Sequence, residues 1–175
     1  MSLKEIITVI SWLFIVYGQV VDYLPTQIEV KADVSTGFVT RVVDGDTFVA
    51  IVDSEEVKVR LVGIDTPEIK TKDASDCYAL EAKLKLKELI EKQQVRLTSD
   101  SFQPDKDRYG RLLRYAFLED LDINKELISL GYARAYTKIK SDQLVTYLDL
   151  EQEAREGSKG LWEACPVENL PELVE

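Results

Sequence analysis

Phe38-Val39-Thr40-Arg41-Val42-Val43-Asp44-Gly45-Asp46-Thr47-Phe48-Val49-Ala50-Ile51-Val52 sets two β-rich runs on either side of an Asp-Gly turn. Such a turn between apolar runs is a strong short-range hairpin signal. Asp53-Ser54-Glu55 makes a second turn. Val57-Lys58-Val59-Arg60-Leu61 then alternates, with Val57, Val59 and Leu61 on one face and Lys58 and Arg60 on the other. The stretch therefore predicts three consecutive antiparallel strands, a meander.

Downstream of the meander, Pro67 stops any regular element. Residues 69–76 are polar and read as a loop, with Asp76 placed to cap a helix over Cys77–Lys92 whose apolar side carries Ala79, Ala82, Leu86, Leu89 and Ile90. Val95–Thr98 reads as a fourth strand, Asp105–Gly110 as a charged turn and Leu112–Leu118 as a fifth strand. Two more helices follow, over about Ile123–Leu130, ended by Gly131, and over about Asp142–Glu156, ended near Gly157 and Gly160. The order predicts an α+β fold: a five-stranded OB-type barrel with three helices packed outside.

The ends differ in kind. Ile6–Val21 is almost continuously apolar, somewhat short of the roughly 20 residues of a membrane span. Val16-Tyr17-Gly18 is a passable cleavage site after a signal peptide, and Lys4 marks the cytoplasmic side. Residues 1–21 are accordingly expected to be a signal peptide or an N-terminal membrane anchor, the other reading being an N-terminal helix of the domain itself. Residues 22–35 read as linker, 36–165 as the barrel domain and 166–175 as an acidic tail. The expected location is extracellular, or membrane-anchored facing outside the cytoplasm. In such a compartment Cys77 and Cys165 invite a disulfide; the other reading is two buried thiols.

The net charge is −10, but only half of that excess lies in the domain: Val34–Cys165 holds 20 Lys and Arg against 25 Asp and Glu. General affinity for a polyanion is not expected, while a local cluster of Arg and Lys remains able to bind phosphate. There is no histidine. Ser-His-Asp triads, His-based acid–base chemistry and His-ligated zinc are excluded.

Carboxylates and arginines are left to carry any chemistry. Asp46 follows the Asp44-Gly45 turn, and an oxygen ligand there suits a hard cation, although the string by itself is also an ordinary hairpin turn. An EF-hand is excluded because its further acidic ligands do not follow. In Asp65-Thr66-Pro67-Glu68, Asp65 and the Thr66 carbonyl are candidates for the same ion, which suits Ca²⁺. Glu68 is a candidate base for a water. Arg60 and Arg111 are candidate phosphate ligands, since guanidinium pairs two oxygens at once. Tyr136 is placed to stack on a base or bond a phosphate, or simply to pack in the core. Lys70 and Lys72 are either near a phosphate chain or merely solvated.

Asp44-Gly45-Asp46-Thr47, Arg60-x-x-x-Ile64-Asp65-Thr66-Pro67-Glu68, Asp107-x-Tyr109-Gly110-Arg111 and Gly160-Leu161-Trp162 occur in order over roughly Ser35–Trp162. In these strings the chain resembles the staphylococcal nuclease family. The resemblance implies an OB-fold barrel with three helices and Ca²⁺ at Asp46, Asp65 and the Thr66 carbonyl. It implies Glu68 as base, Arg60 and Arg111 on the phosphate, and Tyr109 and Tyr136 at the substrate. The implied reaction is endonucleolytic hydrolysis of DNA and RNA at the 5′ P–O bond, leaving 3′-phosphates, with single-stranded substrate favoured. Two features depart from the family pattern. Lys138 stands where a second pocket tyrosine would fall, and Arg108 stands where the type enzyme has Lys. Two rival readings are a non-catalytic nuclease-like module that binds nucleic acid or a protein partner, and a phosphoesterase acting on small nucleotides.

Overall fold

The computed structural model describes residues 33–70 and 75–165. The expected apolar N-terminal helix, signal or anchor at 1–21, most of the linker, Lys72 and the acidic tail lie outside the described residues. Among the described residues there are eight strands: β1 Val34–Val42, β2 Thr47–Val52, β3 Glu55–Leu61, β4 Ile64–Asp65, β5 Gln94–Thr98, β6 Leu112–Leu118, β7 Leu121–Asp122 and β8 Arg134–Ala135. The helices are α1 Ala79–Ile90, α2 Ile123–Ser129, α3 Leu144–Glu156 and α4 Leu161–Ala164.

The meander of β1, β2 and β3 is antiparallel, as its alternation predicts. β1 pairs with β2 through one half and with β5 through the other, Phe38 facing both Ile51 and Gln94. An irregularity between Val39 and Arg41 lets the long strand bend between these partners. β5 pairs with β6, and β6 returns beside β3 in parallel, Val59 opposite Leu112 and Leu61 opposite Arg114. That last pairing closes the five-stranded barrel and leaves no open edge at its seam.

Inside sit Val39, Phe48, Ala50, Val59, Leu61, Val95, Leu97 and Ala116, each 1% exposed or less. α1 buries Ala79, Ala82, Leu86 and Ile90, a helical spacing, against the barrel. Each of its larger side chains contributes about 2 kcal/mol by leaving water. α2 is capped by Asp122, whose carboxylate accepts the Lys125 N–H at 3.1 Å.

Several details differ from the sequence expectation, among them the two-residue strands β4, β7 and β8, which it does not contain. β1 begins at Val34, inside the stretch read as linker over 22–35, because Val34–Phe38 finds β5 as a partner. Among the described residues the helices number four rather than three: Leu161–Ala164 forms a short extra turn, and the Leu161 N–H donates to the Gly131 carbonyl at 2.9 Å. Asp142 does not begin a helix; its carboxylate accepts from the Ser101 N–H at 2.7 Å and from the Ser101 hydroxyl at 2.5 Å. Asp76 does not cap α1 either. The cap position is Tyr78, with φ of 71° and no side-chain bond.

Candidate active site

Asp46 leads into β2 from the Asp44-Gly45 turn and is 2% exposed. Its carboxylate accepts the Thr47 hydroxyl at 3.0 Å, the Thr66 N–H at 3.3 Å and the Thr66 hydroxyl at 3.2 Å. Gly45 makes this approach possible. A Cβ there would stand 2.7 Å from the Thr66 hydroxyl and 2.8 Å from the Ala82 methyl. The turn thus lies directly on the Asp65-Thr66 loop.

Asp65 is held from another side. β4 and β8 form a two-stranded ladder in which Asp65 faces Arg134. The Arg134 guanidinium lies 3.6 Å from the Asp65 carboxylate. Burial pushes the Arg134 pKa down, against the attraction of Asp65 and Glu151.

Arg60 extends from β3 between the two acids. It forms an ion pair with Asp46 and approaches Asp65 at 3.3 Å. It also donates to the Ile64 carbonyl at 3.3 Å. Arg111 arrives from a different part of the chain, just before β6, because the parallel β3–β6 pairing places Arg60 opposite Leu113. Asp107 orients it: one oxygen accepts the Arg111 N–H at 2.9 Å and the other its Nε at 2.7 Å. The Arg111 Nη1 reaches the Thr47 hydroxyl at 3.5 Å.

Glu68 lies at the edge of this cluster. Partial burial pushes its pKa up, and the charges of Asp44 and Asp65 push it further, while Arg60 and Arg111 pull it down. Asp44 is more than a turn residue: its half-buried carboxyl is also shifted up by burial, against bonding to Thr47 and the attraction of Arg60 and Arg111.

A cavity of about 430 Å³ opens beside the arginines. Arg60, Arg111, Asp107, Tyr109 and Tyr136 line it, together with Gln103 and Ile139. Tyr109 is 68% exposed at the rim, with the Arg108 guanidinium 4.8 Å above its ring and Arg108 Nη2 2.7 Å from its hydroxyl. Tyr136 is fixed to the wall by its N–H on the Gly63 carbonyl at 2.9 Å. Lys138 is exposed, and Ile139 is the residue that lines the cavity there.

The structure therefore brings Asp46, Asp65, Thr66, Arg60 and Arg111 together, with Glu68 in electrostatic reach. Lys70 stands apart, paired with Asp76 at 2.5 Å. Cys77 and Cys165 are joined by a disulfide. Sequence reading missed Arg134, Asp107, Gln103 and Ile139. Asp107 had a signal, an acid four residues before Arg111 in a tight turn. Arg134 had none, since its partner lies in a strand 69 positions away.

Among the described residues no group of three or more acids, histidines or cysteines gathers to hold an ion. The candidate set at this site is the two carboxylates of Asp46 and Asp65, an oxygen pair that suits a hard divalent cation that keeps water ligands. The Arg60 guanidinium between Asp46 and Asp65 stands in for that cation: positive charge is already drawn to the gap between them. The residues present fit the ion.

A sequence model described as "Staphylococcal nuclease homologue" matches residues 58–164. A thermonuclease of Staphylococcus intermedius is 36% identical over 127 residues, covering 71% of this chain and 74% of its own length. An uncharacterized endonuclease of Escherichia coli is 35% identical over 133 residues, covering 75% and 80%. An uncharacterized protein of Methanocaldococcus jannaschii is 37% identical over 150 residues, covering 72% and 70%.

Proposed function

The chain belongs to the staphylococcal nuclease family, and from that premise we propose that it is a Ca²⁺-dependent endonuclease cleaving DNA and RNA to 3′-phosphate ends. That it is a nuclease, a hydrolase of phosphodiester bonds in a metal-dependent family, follows from its relatives. The observation that supports the finer reading is that Arg60, which pairs with Asp46 and approaches Asp65, lines with Arg111 a cavity large enough for a nucleotide.

Asp46, Asp65 and the Thr66 carbonyl would hold the ion, which when bound polarises the scissile phosphate. Glu68 takes the proton from the attacking water, and its raised pKa makes it a better proton acceptor than an ordinary carboxylate. The water oxygen forms the new P–O bond, the P–O5′ bond breaks, and the departing oxygen takes a proton from solvent. Arg60 and Arg111 neutralise the charge that builds on the phosphoryl oxygens, and Asp107 holds Arg111 ready for it. Tyr109 and Tyr136 offer faces to a base. An open cavity mouth and an acidic overall surface favour a single strand over a duplex.

The disulfide and the apolar segment at 6–21 support a place outside the cytoplasm, secreted or attached to a membrane by that segment. The full chain incubated with single-stranded DNA or RNA and Ca²⁺ should release 3′-phosphorylated fragments, and a chelator should stop it. Cleavage sustained by Mg²⁺ but not Ca²⁺ would overturn the choice of ion, and 5′-phosphate ends would overturn the choice of bond.

A further inference from the structure

We propose that Asp76 is a positioning residue for Glu68, closing a two-bond clamp on the Glu68 backbone from a mount fixed by the Cys77–Cys165 disulfide. The inference rests on the reading of Glu68 as the base.

Local sequence places Asp76 as the cap of α1, yet α1 takes no side-chain cap. The Asp76 carboxylate turns the other way and accepts the Glu68 N–H at 3.2 Å. The Asp76 N–H donates to the Glu68 carbonyl at 3.0 Å. Both backbone polar groups of Glu68 are thus engaged by one residue, and the two ends of the intervening loop meet there. Within that loop Ile69 and Ser75 form a further antiparallel bridge. On the other side of Glu68, Pro67 has a fixed φ and is buried.

Two features hold Asp76 itself. Lys70 Nζ lies 2.5 Å from the carboxylate oxygen that Glu68 does not use, which orients the group. The next residue, Cys77, is bonded to Cys165 at the end of α4. α4 in turn is tied to the end of α2 through the Leu161 N–H on the Gly131 carbonyl. The Glu68–Asp76 contact therefore stands next to a covalent anchor at Cys77. A base acts only when its oxygen stands within hydrogen-bond reach of the water, so freedom in its backbone lowers kcat.

The test is a cycle of Glu68→Gln, Asp76→Ala, Asp76→Asn and the double variant Glu68→Gln/Asp76→Ala, with kcat, KM and melting temperature measured for each. Asp76→Ala should lower kcat roughly ten- to a hundredfold with KM within about twofold. Asp76→Asn keeps an oxygen for the Glu68 N–H and should restore most of the loss. In the Glu68→Gln background Asp76→Ala should add less than about a twofold loss, because the residue acts only through Glu68. If Asp76→Ala does not fold, Lys70→Met, which removes the group orienting Asp76, should lower kcat in the wild-type background and not in Glu68→Gln. An Asp76→Ala enzyme with wild-type kcat, or an equal loss in both backgrounds, overturns the inference. A fully active Glu68→Gln enzyme instead overturns the base assignment beneath it.

Discussion

The Arg60 guanidinium approaches Asp65 at 3.3 Å and pairs with Asp46 through its other nitrogen, so one cation spans both acids assigned to the metal. On the proposed assignment, Arg60 and a divalent ion would compete for the same carboxylates. Arg60→Gln should bind Ca²⁺ more tightly than wild type in calorimetry. The same variant should lose about 10²–10³ in kcat, because the charge opposing the transition-state oxygens is gone. Weaker Ca²⁺ binding by Arg60→Gln would show that the guanidinium supports the acids rather than rivals the ion.

Glu68→Gln removes a proton acceptor while keeping the shape of the side chain. The expected loss is about 10²–10⁴ in single-turnover rate. Affinity for a non-cleavable oligonucleotide should stay within a few-fold, since Glu68 is not among the residues lining the cavity.

Gly45→Ala places a methyl group against Thr66 and Ala82, with gaps of 2.7 and 2.8 Å where no Cβ fits. The turn must move off the Asp65-Thr66 loop. A stability loss of about 1–3 kcal/mol is expected by chemical denaturation. A larger fractional loss in Ca²⁺-dependent activity should accompany it, as Asp46 withdraws from Asp65.

Replacing Cys77 and Cys165 together by Ser releases a bridge that spans 88 positions. The denatured chain regains the freedom of that loop, about 4.6 kcal/mol in the chain-entropy model and less wherever the unfolded state keeps structure. Thermal melting of the double variant, or of wild type with reductant, should fall by the same amount. A reductant that lowers the melting temperature of the serine variant as well would show that the effect is not the disulfide's.

Asp122 supplies a pH dependence of stability. Burial pushes its carboxyl pKa up despite bonding to the Lys125 N–H and attraction to Lys125. A carboxyl raised in the folded state contributes its stability fully below the unfolded pKa and loses it as pH rises through the folded value. Asp122→Asn keeps an oxygen to cap α2 and removes the ionisation. It should melt higher than wild type at pH 7, and the advantage should vanish below about pH 4. A variant that melts lower at neutral pH would mean that the charge at the helix N-terminus outweighs its burial.

Much of the fold was legible because its signals are local. Alternation in Val57–Leu61 placed Val59 and Leu61 inside and Arg60 on the other face, and the spacing of Ala79, Ala82, Leu86 and Ile90 marked the buried side of α1. Helix ends were less legible. Asp76 reads as a cap and Asp142 as the start of the last helix, but each carboxylate accepts an N–H from a distant segment instead.

By itself the sequence determined the residue kit, the strand and helix order, and the exclusion of histidine chemistry. These depend on side-chain identity and on periodicities that run over a few positions. Only the tertiary structure decided how the kit is assembled. The parallel closure of β3 on β6 sets Arg111 beside Arg60, and the β4–β8 ladder puts Arg134 on Asp65. Gly45 on Thr66 brings Asp46 to Asp65, and Asp76 on Glu68 closes the neighbouring loop. Each of those meetings joins distant segments whose approach is set by the register and packing of the whole core, and no pattern within either segment specifies it.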